Sequence, residues 1–376
     1  MTDRTPLSVL HIGTERRWRG GENQIRLFVE HSAAEVRNVV AYPRGSRGLE
    51  VFANLTETLP LASANPTSLT DVIRLRNFCV SNGIDIIDAN SGNAHTIALL
   101  ACHLGARSRV VVHRRVASAL KSGLRSRWKY QSKYVARFVA ISQFIESALL
   151  AYGIPGARVA MVRSGVAMQV PDAAARTRAR AALAARFGFA NDTVLIGNAS
   201  ALTKEKGYPV LLDAIAELRR HGDIGFHCFI AGDGPLRDGL DRQRRALGIE
   251  SHVSFLGHLE RIDEFLPALD ILAMPSEREG LGTLLLDATL AGCALAASEV
   301  GGMPEIVHHG ETGLLSAPGD ARGHAANLRE LALAASLRRR LNLVAVDLIR
   351  RDFSVEQMVA GNLAVYRAVQ SETVRR

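Results

Sequence analysis

The sequence predicts an α/β protein built from two doubly wound, Rossmann-like domains. Three observations predict it. At 376 residues the chain is longer than one ordinary core requires, and it fits two domains of about 150 to 200 residues each. Short apolar runs ending in Gly, Ser, Asn or Pro recur through both halves, as buried parallel strands do where they feed loops. Between them lie stretches with helical spacing, the alternation that covers a parallel sheet on both faces.

In chain order, the first-half strands are expected at LSVLHIG (7–13), NVVAYP (38–43), IDIIDAN (84–90), RVVVHR (109–114) and RFVAIS (137–142). The second-half strands are expected at TVLIGNAS (193–200), FHCFIAG (226–232), VSFLG (253–257), DILAMPS (270–276) and CALAAS (293–298). Ligands in such folds sit at the C-terminal ends of the strands. The boundary falls near Val170, Pro171 and Asp172, after the strand-like VAMVRSGV and before the Ala-rich helix RTRARAALAARFG, giving domains 1–170 and 171–353. The tail, about 354–376, opens with a capping box from Ser354 to Gln357. It then carries Met358, Val359, Leu363 and Tyr366 at helical spacing, an apolar stripe that needs a surface to cover it.

Composition excludes several classes. With 47% hydrophobic and 22% charged residues, the chain buries cores and is not an extended disordered segment. The opening residues lack the basic start, apolar stretch and cleavage site of a signal peptide, and no run approaches eighteen apolar residues, so a cytoplasmic location is expected. Cys79, Cys102, Cys228 and Cys293 are widely spaced and read as buried small hydrophobes, not as a disulfide framework or zinc site. The net charge of +9 is concentrated at one end. Residues 1–170 hold 22 Lys and Arg against 11 Asp and Glu, whereas the remainder holds 24 against 26. Ten basic residues lie between Arg107 and Arg137, with no acid from Ala89 to Ile145. Such a face suits a polyanion or the anionic inner surface of a membrane, although it also fits a well-solvated surface.

The segment PSEREGLGTLLLDATLAGC (275–293) follows the strand DILAM. Glu279 stands in a loop with Gly280, Leu281 and Gly282, and a helix is expected from about Thr283 to Ala291, with Gly292 as its stop. Free N–H groups at such a helix start attract phosphate. Asp287, one turn in, gives a second carboxylate able to accept hydrogen bonds from a diol. Alone, the segment is equally a helix cap with a surface acid. Lys204 and Lys206 in LTKEKG supply cations after another strand end, and a positioned lysine stabilises a departing diphosphate. An isolated KEKG also fits a solvated helix start. After the strand CALAAS, GGMPE brings Gly302 and Glu305 beside the Glu279 loop. In the first half, RRWRGGENQ places Gly20 and Gly21 in a glycine turn ahead of a helix, and His113 closes the strand RVVVH. A lone His is as readily a local hydrogen-bonding residue as a ligand contact. The glycines lack GxGxxG spacing, which argues against a dinucleotide-dependent dehydrogenase. GxSxG and HExxH are also absent.

In this order the segments resemble glycosyltransferase family 4, retaining enzymes of the GT-B fold. The resemblance runs nearly end to end, through WRGGE, HRR, VAIS, the KG turn, AGDGP, PSEREGLGTLLLDA and GGMPEIV. It implies two Rossmann-like α/β/α domains facing a cleft, with the C-terminal helix returning to the acceptor-side first domain and the nucleotide sugar held by the second. It further implies that Glu279 contacts donor-sugar hydroxyls, Asp287 the ribose and Lys206 the diphosphate. Gly21 corresponds to the first-domain glycine loop and His113 to a residue near the donor sugar. Glu279, Lys206 and His113 are the expected catalytic residues. Gly21, Lys204, Gly280, Leu281, Gly282, Thr283, Asp287, Gly302 and Glu305 are the expected donor-binding ones. No metal or cofactor is expected beyond the nucleotide diphosphate sugar.

Three positions depart from the family pattern. Asp287 stands for a longer Glu, Ala201 stands where many members carry an Arg, and Asn90 replaces a common His. The expected activity is retaining sugar transfer to a glycan or lipid-linked hydroxyl in cell-envelope polysaccharide or lipopolysaccharide synthesis. A sugar-nucleotide epimerase of the same fold and a nucleic-acid-binding protein are the rival readings. The second is disfavoured by 5% aromatics and by the lack of a recognised module, so nucleic acid is not expected as a partner.

Overall fold

A computed structural model describes residues 7–63, 65, 68–117, 120, 123–167 and 170–374. The chain divides into two compact units, residues 1–165 with 354–376 and residues 166–353. The division lies a few residues before the Val170 to Asp172 stretch, and the helix expected there spans Ala173–Phe187, capped by the Asp172 carboxylate on the Ala175 N–H at 2.6 Å.

In the first unit seven parallel strands form one sheet: β1 (Leu7–Ile12), β2 (Val36–Pro43), β3 (Glu57–Leu61), β4 (Ile86–Ala89), β5 (Arg109–Arg114), β6 (Val135–Ala140) and β7 (Val159–Met161). Their order is β3-β2-β1-β4-β5-β6-β7. The second unit holds β8 (Val194–Ala199), β9 (Phe226–Ala231), β10 (Val253–Gly257), β11 (Ile271–Met274), β12 (Ala294–Ser298) and β13 (Leu314–Ser316), ordered β10-β9-β8-β11-β12-β13. Both sheets wind outward from their first strand in one direction and then in the other. The reversal lies between β1 and β4 in the first sheet and between β8 and β11 in the second, where diverging loops leave room for a ligand. All ten expected strands form.

The helix Val355–Val374 is part of the first unit. Its start is capped by Ser354, whose Oγ accepts from the Gln357 N–H at 3.3 Å. Met358, Val359, Leu363 and Tyr366, the stripe read from the sequence, are all buried and share a core with Leu7, Val9, Leu27 and Phe28. Tyr366 meets Phe28 edge to face with ring centroids 5.5 Å apart, a geometry worth about 0.5 to 1.5 kcal/mol beyond burial. The four cysteines are buried and unbridged. Among the described residues no helix is long and apolar enough to cross a membrane.

Candidate functional site

The expected site residues fall into two groups, one on each unit. In the second unit, Lys204 to Lys206 form a short 3-10 turn after β8, and Gly207 caps the following helix, Tyr208–His221. The lysines therefore precede the helix and do not begin it. Gly207 has φ +66°, and a Cβ there would lie 1.8 Å from the Pro275 carbonyl oxygen. Only glycine lets the β8 loop run directly against the β11 loop. The Glu205 carbonyl then accepts from the N–H groups of Glu277 and Arg278 at 2.9 and 3.3 Å. Behind them, buried Asn198 donates to the Ala273 carbonyl at 2.6 Å and accepts from the Tyr208 hydroxyl at 2.9 Å, tying β8, β11 and the helix start together.

That scaffold sets Lys206 Nζ 2.5 Å from Glu279 Oε1, an oxygen that also accepts from Ser276 Oγ at 3.1 Å. Both charged side chains are largely buried, at 23% and 11% exposure, so the contact is shielded from bulk water. The β12 loop closes on the same segment. Gly301 has φ +60°, and a Cβ there would stand 1.8 Å from the Glu279 carbonyl oxygen. The conformational freedom of Gly301 thus serves the protein's own backbone. Gly302 is buried beside it, and Glu305, in the 3-10 turn Met303–Glu305, is half-buried.

Gly280 and Leu281 are buried, and Gly282 turns with φ +84° toward the helix, which spans Leu284–Leu290 with Thr283 at its N-cap. Thr283 makes no side-chain cap. Among the described residues, no hydrogen bond engages the N–H groups of Gly282, Thr283 and Leu284. Asp287 lies in the first turn, and its carboxyl is pushed up to about 7 by burial. Among the described residues it has no hydrogen-bond or ion-pair partner. Asp287 is half-buried, and a desolvated carboxyl without a partner carries a cost that hydroxyl donors from a ligand offset. Lys204 is exposed and Ala201 half-buried.

In the first unit Gly20 and Gly21 are the first two residues of the helix Gly20–Ser32, not a turn ahead of it. Glu22 follows, buried, its carboxyl pushed up to about 7 chiefly by burial. His113 is buried at the end of β5, and both of its nitrogens face protein atoms. Nε2 lies 3.0 Å from Asp88 Oδ1 and Nδ1 lies 3.4 Å from an Arg115 nitrogen. Strand register explains the first contact: β1 and β4 pair His11 with Asp88, and β4 and β5 pair Asp88 with Val111, two residues before His113 on the same sheet face. Asp88 also accepts from His11 Nδ1 at 2.8 Å and from Asn90 Nδ2 at 2.7 Å, and the Tyr366 hydroxyl lies beside it. Burial alone would raise this carboxyl, but the two imidazoles hold it below the ordinary carboxylate range. Burial dominates at His113 and lowers it, against the pull of Asp88.

Sequence reasoning missed Asn198, Tyr208, Asp88 and Arg115. The available signal was polar residues inside apolar strands, such as His11 in LSVLHI and Asp88 in IIDA.

Residues 180–343 match the model for glycosyl transferases group 1, and residues 18–170 match that for glycosyltransferase family 4. The chain belongs to this family of glycosyltransferases. It is 28% identical over 180 residues to the N-acetyl-alpha-D-glucosaminyl L-malate synthase of Bacillus anthracis, covering 48% of this chain and 47% of that one. It is 30% identical over 150 residues to the lipopolysaccharide core biosynthesis glycosyltransferase LpsE of Rhizobium meliloti, covering 40% and 43%. The chain thus spans under half the length of either relative. Among solved structures, Anabaena Alr3699/HepE in complex with UDP and glucose superposes with a TM-score of 0.84 at 19% identity, over 96% of this chain and 100% of that one. The fold is GT-B.

Proposed function

We propose that this glycosyltransferase moves a sugar, with retention at the anomeric carbon, from a nucleotide diphosphate sugar to a hydroxyl of a glycan or lipid-linked acceptor, and does so without a metal. The observation that carries the reading is the Lys206–Glu279 contact at the sheet's reversal point, with an unpartnered Asp287 one segment away. Without ligand, the lysine and the glutamate satisfy each other. A diphosphate sugar offers each a better partner: phosphate oxygens for Lys206 and sugar hydroxyls for Glu279. Asp287 takes the ribose diol, and the unengaged amides from Gly282 to Leu284, with exposed Lys204 nearby in sequence, add donors for the phosphates. As the bond from the anomeric carbon to the diphosphate oxygen breaks, Lys206 stabilises the growing negative charge. The acceptor oxygen bonds to the anomeric carbon, and its proton passes to the departing phosphate.

Support comes from family membership and from structural neighbours solved with UDP and glucose. Similarity to a lipopolysaccharide core transferase supports a role in cell-envelope polysaccharide or lipopolysaccharide synthesis at the cytoplasmic side of a membrane. Thermal-shift screening against nucleotide sugars identifies the donor, because a bound ligand stabilises the folded state by mass action. Lys206→Ala then lowers turnover of that donor at least tenfold, a loss of about 1.4 kcal/mol or more of transition-state stabilisation. Wild-type turnover in a folded Lys206→Ala variant defeats the reading.

A further inference from the structure

The first unit contains an arginine whose hydrogen-bond donors its own residues do not all use. Arg115 follows β5, is half-buried and forms no ion pair among the described residues. One terminal nitrogen lies 3.1 Å from Asn90 Oδ1 and 3.4 Å from His113 Nδ1. Its Nε is enclosed without a partner, and its other terminal nitrogen makes no hydrogen bond among the described residues. An Nε–H enclosed without a partner is costly, and an anion that accepts from it and from the free terminal nitrogen offsets that cost.

The two groups that hold Arg115 are themselves fixed. Asp88 Oδ1 lies 3.0 Å from His113 Nε2 without hydrogen-bond alignment, so the tautomer is set on the other side of the ring. Arginine only donates, so the Nδ1 facing Arg115 carries the lone pair. His113 is therefore the neutral Nε2–H tautomer. Asn90 is oriented by the same logic, its Nδ2 donating to Asp88 at 2.7 Å and its Oδ1 accepting from Arg115. Asn90, held by Asp88, and His113 thus present two acceptors to one terminal nitrogen of the guanidinium and leave its other donors unspent. The helix Gly20–Ser32 begins beside it, where a Cβ at Gly21 would touch Arg115 Cδ at 3.5 Å. No side chain caps that helix start. Glu22, in its first turn, is buried, and burial pushes its carboxyl up to about 7.

We propose that Arg115 binds an anionic group, a phosphate or carboxylate, carried by the acceptor, and that His113, Asn90 and Asp88 are its positioning residues. The word acceptor rests on the transferase reading above; the anion site does not. It assigns His113 to holding Arg115, in place of the donor-sugar contact implied by the family resemblance.

The test is a titration of the full chain, labelled with nitrogen-15, with inorganic phosphate and separately with malonate. The signals followed are the Arg115 Nε–H, the Gly21 amide and the His113 ring nitrogens. A saturable shift of the Arg115 signal with either anion is expected, and which anion acts assigns the group to phosphate or carboxylate chemistry. Asn90→Ala is expected to weaken that binding at least tenfold while leaving the melting temperature of the first unit within a few degrees. The His113 spectrum is expected to show a neutral ring protonated at Nε2. Silence at Arg115 with both anions into the tens of millimolar overturns the proposal. So does a Gly21 response that survives unchanged in Arg115→Gln, which would place the anion on the helix start alone. These readouts need no turnover, so failure here is distinct from failure of the Lys206→Ala test.

Discussion

Gly207→Ala tests whether the candidate site is held together by backbone packed on backbone. Two costs are expected. The first is conformational: an L-residue at φ +66° carries about 1 to 2 kcal/mol of strain. The second is steric, because the added Cβ would begin 1.8 Å from the Pro275 oxygen, and relieving such overpacking costs about 1 to 3 kcal/mol more. Gly222 provides the control. It ends the same helix at φ +67°, yet a Cβ there meets nothing within 4 Å. The two alanine variants share the strain and differ only in the collision. Gly207→Ala should therefore unfold the second unit about 2 to 12 °C below Gly222→Ala, at about 2 to 4 °C per kcal/mol for a unit of this size. Tryptophan fluorescence will not report it, since Trp18 and Trp128 both lie in the first unit. Scanning calorimetry with hydrogen exchange on the second unit is the appropriate assay. Equal midpoints for the two variants would show that the β8 and β11 loops do not meet as described.

Two further outcomes follow from charge. The Asp287 carboxyl is raised from 3.8 to about 7 by burial, so its cost is absent where the unfolded chain is also protonated, grows as pH rises from about 4 to 7, and is constant above. Asp287→Asn should therefore gain stability relative to wild type across that window, by at most about 4 kcal/mol at 1.36 kcal/mol per unit; stability curves that stay parallel from pH 4 to 8 would contradict the burial. The basic run between Arg107 and Arg137, of which Lys121 lies outside the described residues, should carry the chain to anionic liposomes in flotation. That binding should fade as salt shortens the screening length below about 10 Å, and equal flotation with neutral liposomes would exclude an electrostatic cause.

The alternating architecture was legible because buried parallel strands are written as short continuous apolar runs. The two sheets' outermost strands β3 and β13 were not. β3 carries Pro60, which cannot donate to a ladder and reads as a breaker, yet is tolerated on an edge paired with Tyr42. β13 has only three residues, too few for any period. Lys206 and Glu279 were legible as separate motifs, but their contact was not, since 73 positions separate them. The cluster on Asp88 was hidden for the same reason: its members come from β1, β4, β5 and the last helix, and only strand register brings them together. Arg115 stood in plain view inside HRR, but without Asn90 and His113 in place nothing separated it from the other arginines of a basic stretch.

The return of the last helix to the first unit has a consequence for synthesis. The strands from β1 to β7 leave the ribosome early, but the helix that covers Leu7, Val9 and Phe28 is made only after the intervening residues 166–353. At about 5 to 20 residues per second, the first-made sheet waits roughly 10 to 40 s with that face uncovered, and by the end of that wait the second unit has all of its own residues and is free to fold. The half of the protein translated first is thus the half completed last. A nascent chain stalled before Ser354 should expose this apolar face to chaperones even after the second unit has closed.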